Sequence, residues 1–310
     1  MAQLAIVGAG LIGRSWAIVF ARAGWEVRLT DPNADALEVA PRQIRQALDE
    51  LAAFDLVDDA AAAAARISVA PSVAHALEGA VLVQENGPET PKAKQAIFAE
   101  LDALASPDAI LASSTSAIVA SRFTEGLSGR ERCLVAHPVN PPHLVPVVEL
   151  CGAPWTSPEI LERARSIYAS VGQAPIAVNR ETDGFVLNRL QAALLSEAFR
   201  LVGEGVVSPQ DLDLTLAEGL GLRWSFMGPF QTIELNAPGG IADYCARYAP
   251  FFRRCVTDPP GASVWDEANI DRVVAAWSRP ATPDAIARRT EWRDRRLAAL
   301  KAHKNAQPDT

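Results

Sequence analysis

The sequence contains few cysteines, and their placement gives no sign of a disulfide framework or a zinc site. Four cysteines occur among 310 residues, Cys133, Cys151, Cys245 and Cys255, without a CxxC pair or a ligand-like cluster. We therefore expect neither a disulfide-stabilised scaffold nor a bound metal.

Long uncharged apolar runs are also missing. No such segment reaches the roughly 18 residues that a membrane span requires. Met1 leads almost directly into the strand-like run LAIVG, rather than into a basic segment followed by a cleavable apolar stretch. We expect a cytosolic protein that does not insert into a membrane.

Positive charge is the third scarce feature. The 29 lysines and arginines are outnumbered by 37 acidic residues, which gives a net charge of −8. This balance argues against nucleic acid as the main partner. The length and the 49% apolar content are ordinary for a globular protein with two domains.

A dinucleotide-binding pattern is present at the start of the chain. The strand-like run Leu4–Gly8 is followed by a glycine-rich turn and then by helical periodicity from Arg14 to Gly24. The first glycine permits a tight turn, the second lets a pyrophosphate approach the backbone, and the third allows close helix packing. The candidate cofactor residues of this turn are Gly8, Gly10, Leu11, Ile12 and Gly13.

An acidic residue completes the pattern and selects the cofactor. Asp31 ends the next strand-like run, 23 residues after Gly8, near the spacing of an acid that binds a ribose 2′-hydroxyl. Its carboxylate would repel a 2′-phosphate, and the following residues supply no arginine to receive one. The sequence therefore favours NAD over NADP.

Strand and helix patterns alternate through the first half of the chain. Strands are predicted at 67–70, 81–85 and 109–113, with the helix 91–104 among the stretches between them. Such alternation indicates a doubly wound parallel sheet whose ligands bind at the carboxyl ends of its strands. Ser116 follows one of these strands; it is either a functional residue or a cap for a helical stretch from Ala117.

A histidine and a glutamate stand out in the run from Cys133 to Leu150. Pro141-Pro142 forces a turn between two apolar stretches. If the two halves pair antiparallel about His143, His137 lies opposite Glu149. A glutamate in an apolar run needs a partner, which the imidazole would supply. The alternative is a strand-end histidine and an unrelated edge-strand glutamate.

The pattern becomes helical after Asp183. Residues 184–204 form a long, largely apolar helical stretch that contains Asn188, and a charged helix is predicted from Pro283 onward. We predict a Rossmann-type domain over 1–183 and an all-helical domain over 184–310. Its apolar helices indicate a homodimer interface.

The motifs, taken in order, resemble the 3-hydroxyacyl-CoA dehydrogenase family. They are GAGLIG, Asp31, Glu89 with Lys94, SSTS, HPVN, VVEL and GFVLNRL, and the resemblance runs almost from end to end. One departure is Asn86-Gly87, where relatives tend to carry a small residue and an apolar one.

The resemblance implies an NAD-dependent oxidation of a 3-hydroxy acid to the 3-oxo acid. His137 would be the general base and Glu149 would orient it. Ser116 and Asn188 match the residues that hold the substrate hydroxyl and carbonyl. The remaining positions, which match cofactor contacts, are Glu89, Lys94 and Asn140.

The residues disfavour a CoA thioester as the substrate. CoA carries phosphates that require cationic contacts, and no lysine occurs from Met1 through Pro91. A free carboxylate needs one well-placed arginine, for which Arg223 is the candidate, although Arg223 could instead form a structural salt bridge.

Three functions therefore remain open. The first is a dehydrogenase of a small free hydroxy acid. The second is a related enzyme acting on carnitine or a 3-hydroxyacyl-CoA. The third is a non-catalytic structural protein that retains the fold, against which the intact set of candidate catalytic residues counts.

Overall fold

The chain forms two compact units. One consists of Met1–Leu187 with Arg289–Thr310, and the other of Asn188–Arg288. The computed structural model describes residues 2–256, 259–279 and 281–307.

The first unit is built on a mixed sheet. The strands of its described residues are β1 Gln3–Val7, β2 Glu26–Thr30, β3 Ile67–Val69, β4 Leu82–Glu85, β5 Ile110–Ser113, β6 Cys133–Pro138, β7 Val147–Gly152 and β8 Ala174–Ala177. The sheet order is β3-β2-β1-β4-β5-β6-β7-β8, and only the β6–β7 pairing is antiparallel. The predicted doubly wound sheet is confirmed, and the carboxyl ends of β1, β2, β4, β5 and β6 share one edge.

Helices connect the strands and then make up the second unit. The helices that precede the second unit are α1 Leu11–Arg22, α2 Ala34–Ala52, α3 Ala60–Ala65, α4 Val73–Leu77, α5 Pro91–Leu104, α6 Ser121–Thr124 and α7 Pro158–Ser170. They are followed by α8 Leu187–Gly203, α9 Pro209–Thr215, α10 Gly221–Trp224, α11 Pro229–Glu234, α12 Gly240–Cys255, α13 Glu267–Trp277 and α14 Pro283–Asn305. Short 3₁₀ turns lie at Arg130–Arg132 and Ala262–Trp265, and a π-helical turn at Leu216–Leu220.

The sheet buries both of its faces. Residues of α1, α2, α3 and α7 pack on one face around Trp16 and Tyr168. Residues of α4, α5 and α6 pack on the other face around Phe98 and Phe123, whose ring centroids lie 4.6 Å apart. A sheet covered on both sides needs apolar residues at nearly every strand position, as parallel strands have.

Two helices begin later than the sequence predicts. The stretch predicted to be helical from Gly184 begins at Leu187, because Gly184 and Phe185 adopt positive φ values of 75° and 49°, which α-helix geometry excludes. The helix expected from Ala117 begins at Ser121, because Thr115 Oγ1 accepts the backbone N–H of Ile118 at 2.9 Å and forms a turn there instead.

The last helix returns to the first unit. Ala298 of α14 is 5% exposed and belongs to the core of the first unit, with Leu297 packed beside it. The division predicted from the sequence, 1–183 and 184–310, stays a prediction; in the structure the residues from Arg289 onward group with the first unit.

The helices of the second unit leave much of their apolar surface exposed. The described residues of α8 include none that is buried, and Leu190 is 65% exposed. Phe230 and Leu235 are each 72% exposed. Within the described ranges, no helix combines the length and the apolar character that crossing a membrane demands.

Candidate active site

The glycine turn between β1 and α1 is shaped by contacts that only glycine allows. Gly8 has a φ of 104°, and a Cβ there would lie 2.8 Å from the carbonyl oxygen of Asn86. A Cβ on Gly13 would lie 1.9 Å from the carbonyl oxygen of Gly8, so the helix and the turn could not pack this closely. No side chain caps α1 at Gly10, so the first-turn N–H groups of this described helix face outward for an anion.

Asp31 stands beside this turn, immediately after β2. Its Oδ2 accepts the backbone N–H of Ala9 at 2.6 Å, and its Oδ1 accepts that of Asn33 at 2.8 Å. These bonds hold the carboxylate at the mouth of the turn, where each oxygen keeps a lone pair for a ribose hydroxyl. The turn, the helix end and the acid therefore fit a dinucleotide with an unphosphorylated 2′-hydroxyl.

His137 and Glu149 face each other across β6 and β7. The antiparallel register pairs His137 with Glu149 directly, which confirms the pairing about His143 predicted from the sequence. His137 Nδ1 lies 2.7 Å from Glu149 Oε2, and the two side chains are 7% and 0% exposed. The imidazole therefore sits at the carboxyl end of β6, on the same edge as the glycine turn.

Glu149 is held in the ionised state by donors on two sides. Its Oε1 accepts the backbone N–H groups of Val186 at 2.9 Å and Leu187 at 3.0 Å, where α8 begins. Burial by itself would raise the pKa of this carboxyl, but the hydrogen bonds from His137, Leu187 and Val186 outweigh burial and hold the pKa below its ordinary value.

The tautomer of His137 follows from that charge. An ionised carboxylate can only accept a hydrogen bond. Nδ1 therefore carries the proton and donates a hydrogen bond to Glu149. The Nε2 of the neutral ring is then left with a lone pair and can take a proton. The arrangement can act as a general base with an orienting carboxylate.

Phe185 closes one side of the imidazole. Its ring centroid lies 5.5 Å from that of His137, and the side chain is fully buried. Its positive φ of 49° is uncommon for a bulky residue and costs free energy of the order of 1–3 kcal/mol. The sequence offered no signal for this residue, because its neighbourhood depends on the turn that Gly184 starts.

A second group of side chains joins the loops that follow β4 and β5. Glu89 Oε1 accepts the backbone N–H groups of Ser116 at 2.9 Å and Ala117 at 3.2 Å, and also the hydroxyl of Thr115. The Ser116 hydroxyl lies 3.4 Å from the same oxygen. The structure thus brings Ser116 and Glu89 together, as expected of residues on one edge of the sheet.

Lys94 lies deeper than a residue that touches a ligand usually does. Its side chain is 1% exposed, and Nζ lies 2.8 Å from each carboxylate oxygen of Glu85. Its distance to Glu89 Oε2 is 3.9 Å. The sequence alone assigns Glu85 no role. The signal that could have found it is a charged residue at the end of the strand-like run that forms β4.

Asn86, the departure from the family pattern, is partly buried and hydrogen-bonded on both sides of its amide. Its Oδ1 accepts the Ser114 hydroxyl at 2.7 Å, and its Nδ2 donates to the carbonyl of Gln84 at 2.9 Å. Gln84 in turn donates to Ser114 at 2.7 Å and accepts the hydroxyl of Tyr168. The amide therefore replaces a small residue without leaving a polar group unpaired.

The other predicted site residues lie in several places. Asn140 is exposed in the turn after β6. Asn188 is partly exposed in the first turn of α8, in the second unit. Arg223 is exposed on α10 of the same unit, and it forms no ion pair with any residue that the structure describes.

The two cysteines nearest the pair do not offer a nucleophile. Cys133 lies on β6 and Cys151 on β7, both fully buried. Burial raises the pKa of each thiol to about 12, so both stay protonated at neutral pH. The chemistry of this edge therefore belongs to the imidazole.

Comparison with known proteins agrees with this geometry. Residues 3–182 match the NAD binding domain of 3-hydroxyacyl-CoA dehydrogenase, and residues 184–258 match its C-terminal domain. Lambda-crystallin of Oryctolagus cuniculus is 42% identical over 304 residues, which cover 96% of this chain and 95% of that protein. L-carnitine dehydrogenase of a Pseudomonas species is 36% identical, covering 96% of this chain and 92% of that protein.

A solved structure shows the same fold throughout. It is that of 5-formyl-3-hydroxy-2-methylpyridine 4-carboxylic acid 5-dehydrogenase, described as an NAD⁺-dependent dismutase. The TM-score is 0.86 with 27% identity, covering 99% of this chain and 100% of the other. From these matches and the site geometry, the chain belongs to the 3-hydroxyacyl-CoA dehydrogenase family and is an NAD-dependent oxidoreductase that acts on a CH–OH group.

Proposed function

We propose that the protein oxidises the 3-hydroxyl of a small free hydroxy acid, of the L-gulonate type, to the 3-oxo acid. The observation that carries this proposal is the buried His137–Glu149 pair at the edge that also bears the glycine turn and Asp31. Lambda-crystallin is among the relatives that match nearly the whole chain. The motifs HPVNPP, GFVLNRLQ and GLGLRWSFMGP of this chain resemble those of L-gulonate 3-dehydrogenase.

The proposed mechanism centres on His137. Bound NAD supplies the acceptor for the hydride that leaves C3. His137 Nε2 removes the hydroxyl proton, because Nδ1 is already committed to Glu149. Glu149 keeps the ring in that tautomer and stabilises the imidazolium that forms.

The remaining residues bind and orient. Ser116 and Asn188 are proposed to hold the substrate hydroxyl and carbonyl. Asn140 is proposed to contact the nicotinamide side, and Glu89 with Lys94 to shape the cofactor site. The loop bonds from Glu89 to Ser116 and Ala117 support this assignment, because they fix these groups before a ligand arrives.

The cations of α2 and its surroundings support a free acid over a CoA thioester. Arg45 is engaged by Asp49 on the same helix, with Nε and Oδ1 2.9 Å apart. Arg66 donates to the carbonyl of Ala21 at 3.3 Å. Arg42 is the remaining cation there, too little for the phosphates of CoA. Arg223, which is exposed and lacks an acidic partner among the described residues, is proposed to receive the substrate carboxylate.

The second candidate is carnitine, because a carnitine dehydrogenase covers almost the same length of chain at 36% identity. Carnitine also carries a 3-hydroxyl and a free carboxylate, so the same residues would serve. A 3-hydroxyacyl-CoA is the third candidate, supported by the family name and by a 3-hydroxyacyl-CoA dehydrogenase that is 34% identical over 97% of this chain.

The active protein is proposed to be a cytosolic homodimer joined through the second unit. All four cysteines are free, as is usual in a reducing compartment. The exposed leucines and phenylalanines of α8 and α11 favour a second copy as the covering partner, since closed symmetric dimers commonly bury such faces.

Removal of the base tests the catalytic assignment. His137→Ala should lower kcat/KM for L-gulonate by about 10²–10⁴-fold, the usual contribution of a positioned base. NADH production from 3-hydroxy acids, from carnitine and from 3-hydroxybutyryl-CoA is measured for the wild type and the variant. His75→Ala, which changes an exposed histidine on α4, is the control and should match the wild type. Undiminished turnover by His137→Ala would refute the assignment.

The depressed pKa of Glu149 predicts an acid-sensitive contribution to stability. Because the folded pKa lies below the ordinary value of 4.5, the contribution is complete above that pH and is lost as the pH falls through the folded pKa. The difference in free energy of unfolding between wild type and Glu149→Gln, measured by urea titration, should shrink from about pH 6 to about pH 3.5. Glu38→Gln, on the exposed face of α2, is the control. A difference that stays constant across this range would contradict the prediction.

Arg223 is tested by separating charge from geometry. Arg223→Ala should raise KM for the free acid by roughly 10- to 150-fold, as expected for a lost charge-assisted pair worth about 1.5–3 kcal/mol. Arg223→Lys should recover part of this loss, because lysine keeps the charge but not the planar fork. Arg279→Ala serves as the control in the same unit. Activity with 3-hydroxybutyryl-CoA that is insensitive to Arg223→Ala would favour the CoA substrate instead.

The dimer is tested by solution mass. Light scattering after size exclusion should give about twice the 33.1 kDa of the chain, and Leu190→Glu should shift the population toward monomer. Leu104→Glu places the same charge on an exposed leucine of the first unit and should leave the dimer intact. A wild-type mass of one chain at micromolar concentration would rule out the dimer.

A further inference from the structure

A carboxylate lies buried at the carboxyl end of β4, where the proposed chemistry assigns it no part. Glu85 is fully buried, and each of its oxygens has partners. Oε1 accepts the backbone N–H of Gly87 at 2.5 Å, and Oε2 accepts the Ser113 hydroxyl at 2.6 Å. Lys94 Nζ lies 2.8 Å from both oxygens.

Stability alone gives little reason for this pair. Both side chains lose their hydration on burial, and an apolar pair of similar volume is often as stable or more stable. In some proteins a buried ion pair serves to fix geometry rather than to add stability. The contacts of the pair show which geometry is fixed.

The Glu85–Lys94 ion pair binds the backbone of Gly87 in the loop after β4. Lys94 Nζ donates to the carbonyl of Gly87 at 3.1 Å while Glu85 accepts the N–H of the same residue. A Cβ on Gly87 would lie 2.6 Å from Ile97 Cδ1 and 2.9 Å from Glu85 Oε1, so the loop has no room to shift toward the carboxylate. The backbone N–H and C=O groups of Gly87 are therefore both bound by the ion pair.

The clamp continues to the next loop through Glu89. Its Oε2 lies 3.9 Å from Lys94 Nζ, while its Oε1 holds the N–H groups of Ser116 and Ala117. Ser113, which ends β5 and precedes this loop, is bound directly by Glu85. One buried carboxylate thus ties β4, β5 and α5 together beneath the two loops that carry Glu89 and Ser116.

We propose that Glu85 is a positioning residue that sets the affinity for the dinucleotide, acting through Lys94 and the two loops rather than by touching it. The inference rests on the proposed role of these loops in cofactor binding. Its test uses NADH binding, which needs no hydroxy-acid substrate. The NADH dissociation constant can therefore be interpreted even if the proposed hydroxy-acid substrate is wrong.

The primary experiment compares two buried ion pairs of the same unit. Glu85→Gln keeps the shape but removes the charge that holds Lys94. Asp102→Asn does the same to the pair with Arg132, where the two groups are 2.8 Å apart and 7% exposed each, at the opposite edge of the sheet. The dissociation constant of NADH is measured by fluorescence titration, and the melting temperature is recorded alongside.

Glu85→Gln should raise the NADH dissociation constant by about tenfold or more, since small displacements of preorganised groups are costly. Asp102→Asn should lower the melting temperature yet leave the dissociation constant within about twofold of wild type. An unchanged dissociation constant in Glu85→Gln, or an equal rise in both variants, would overturn the proposal.

If Glu85→Gln folds poorly, a double variant tests the role of the ion pair in NADH binding instead. Glu85→Leu with Lys94→Met removes both charges and should recover stability, because no unpaired charge stays buried. The dissociation constant should nevertheless stay raised by about tenfold, since apolar side chains cannot clamp the Gly87 peptide. Recovery of both stability and affinity would show that the pair is only structural and would reject the proposal.

Discussion

One carboxylate joins the catalytic edge of the sheet to the residues at which α8 begins. Glu149 receives His137 on one oxygen and the backbone N–H groups of Val186 and Leu187 on the other. A buried carboxylate must satisfy both oxygens, so the position of the imidazole and the point where α8 begins are set by the same group. The antiparallel pairing of β7 with β6 places that carboxylate opposite the histidine.

Features that depend on local spacing could be predicted from the sequence. The glycine turn, Asp31 and the alternation of strands follow from periodicity and from residues whose backbone preferences are strong. The His137–Glu149 register could be derived because Pro141-Pro142 fixes the position of the turn and strand pairing then counts residues symmetrically from it. These are short-range constraints that a single sequence displays.

Features that depend on how a helix or a loop packs against the sheet could not be predicted. Lys94 matches a cofactor position by motif, yet its ammonium group points from α5 to the carboxylate of Glu85 at the end of β4, a helix-to-sheet contact that periodicity does not reveal. Phe185 lies in a stretch predicted to be helical, yet its backbone is left-handed, and the N–H group of the next residue, Val186, is bound by Glu149, 37 residues earlier in the chain. Choice of a partner through space is a tertiary property, and it overrides local preference where the two disagree.

The return of α14 to the first unit has a consequence for how the chain is made. Leu297 and Ala298 complete a core whose other members, such as Trp16 and Leu48, leave the ribosome long before them. The whole of the second unit is synthesised in between. The dinucleotide-binding unit therefore cannot complete its core until the second unit has been synthesised. Until α14 has emerged from the ribosome, the apolar surface that it covers stays exposed on the nascent protein.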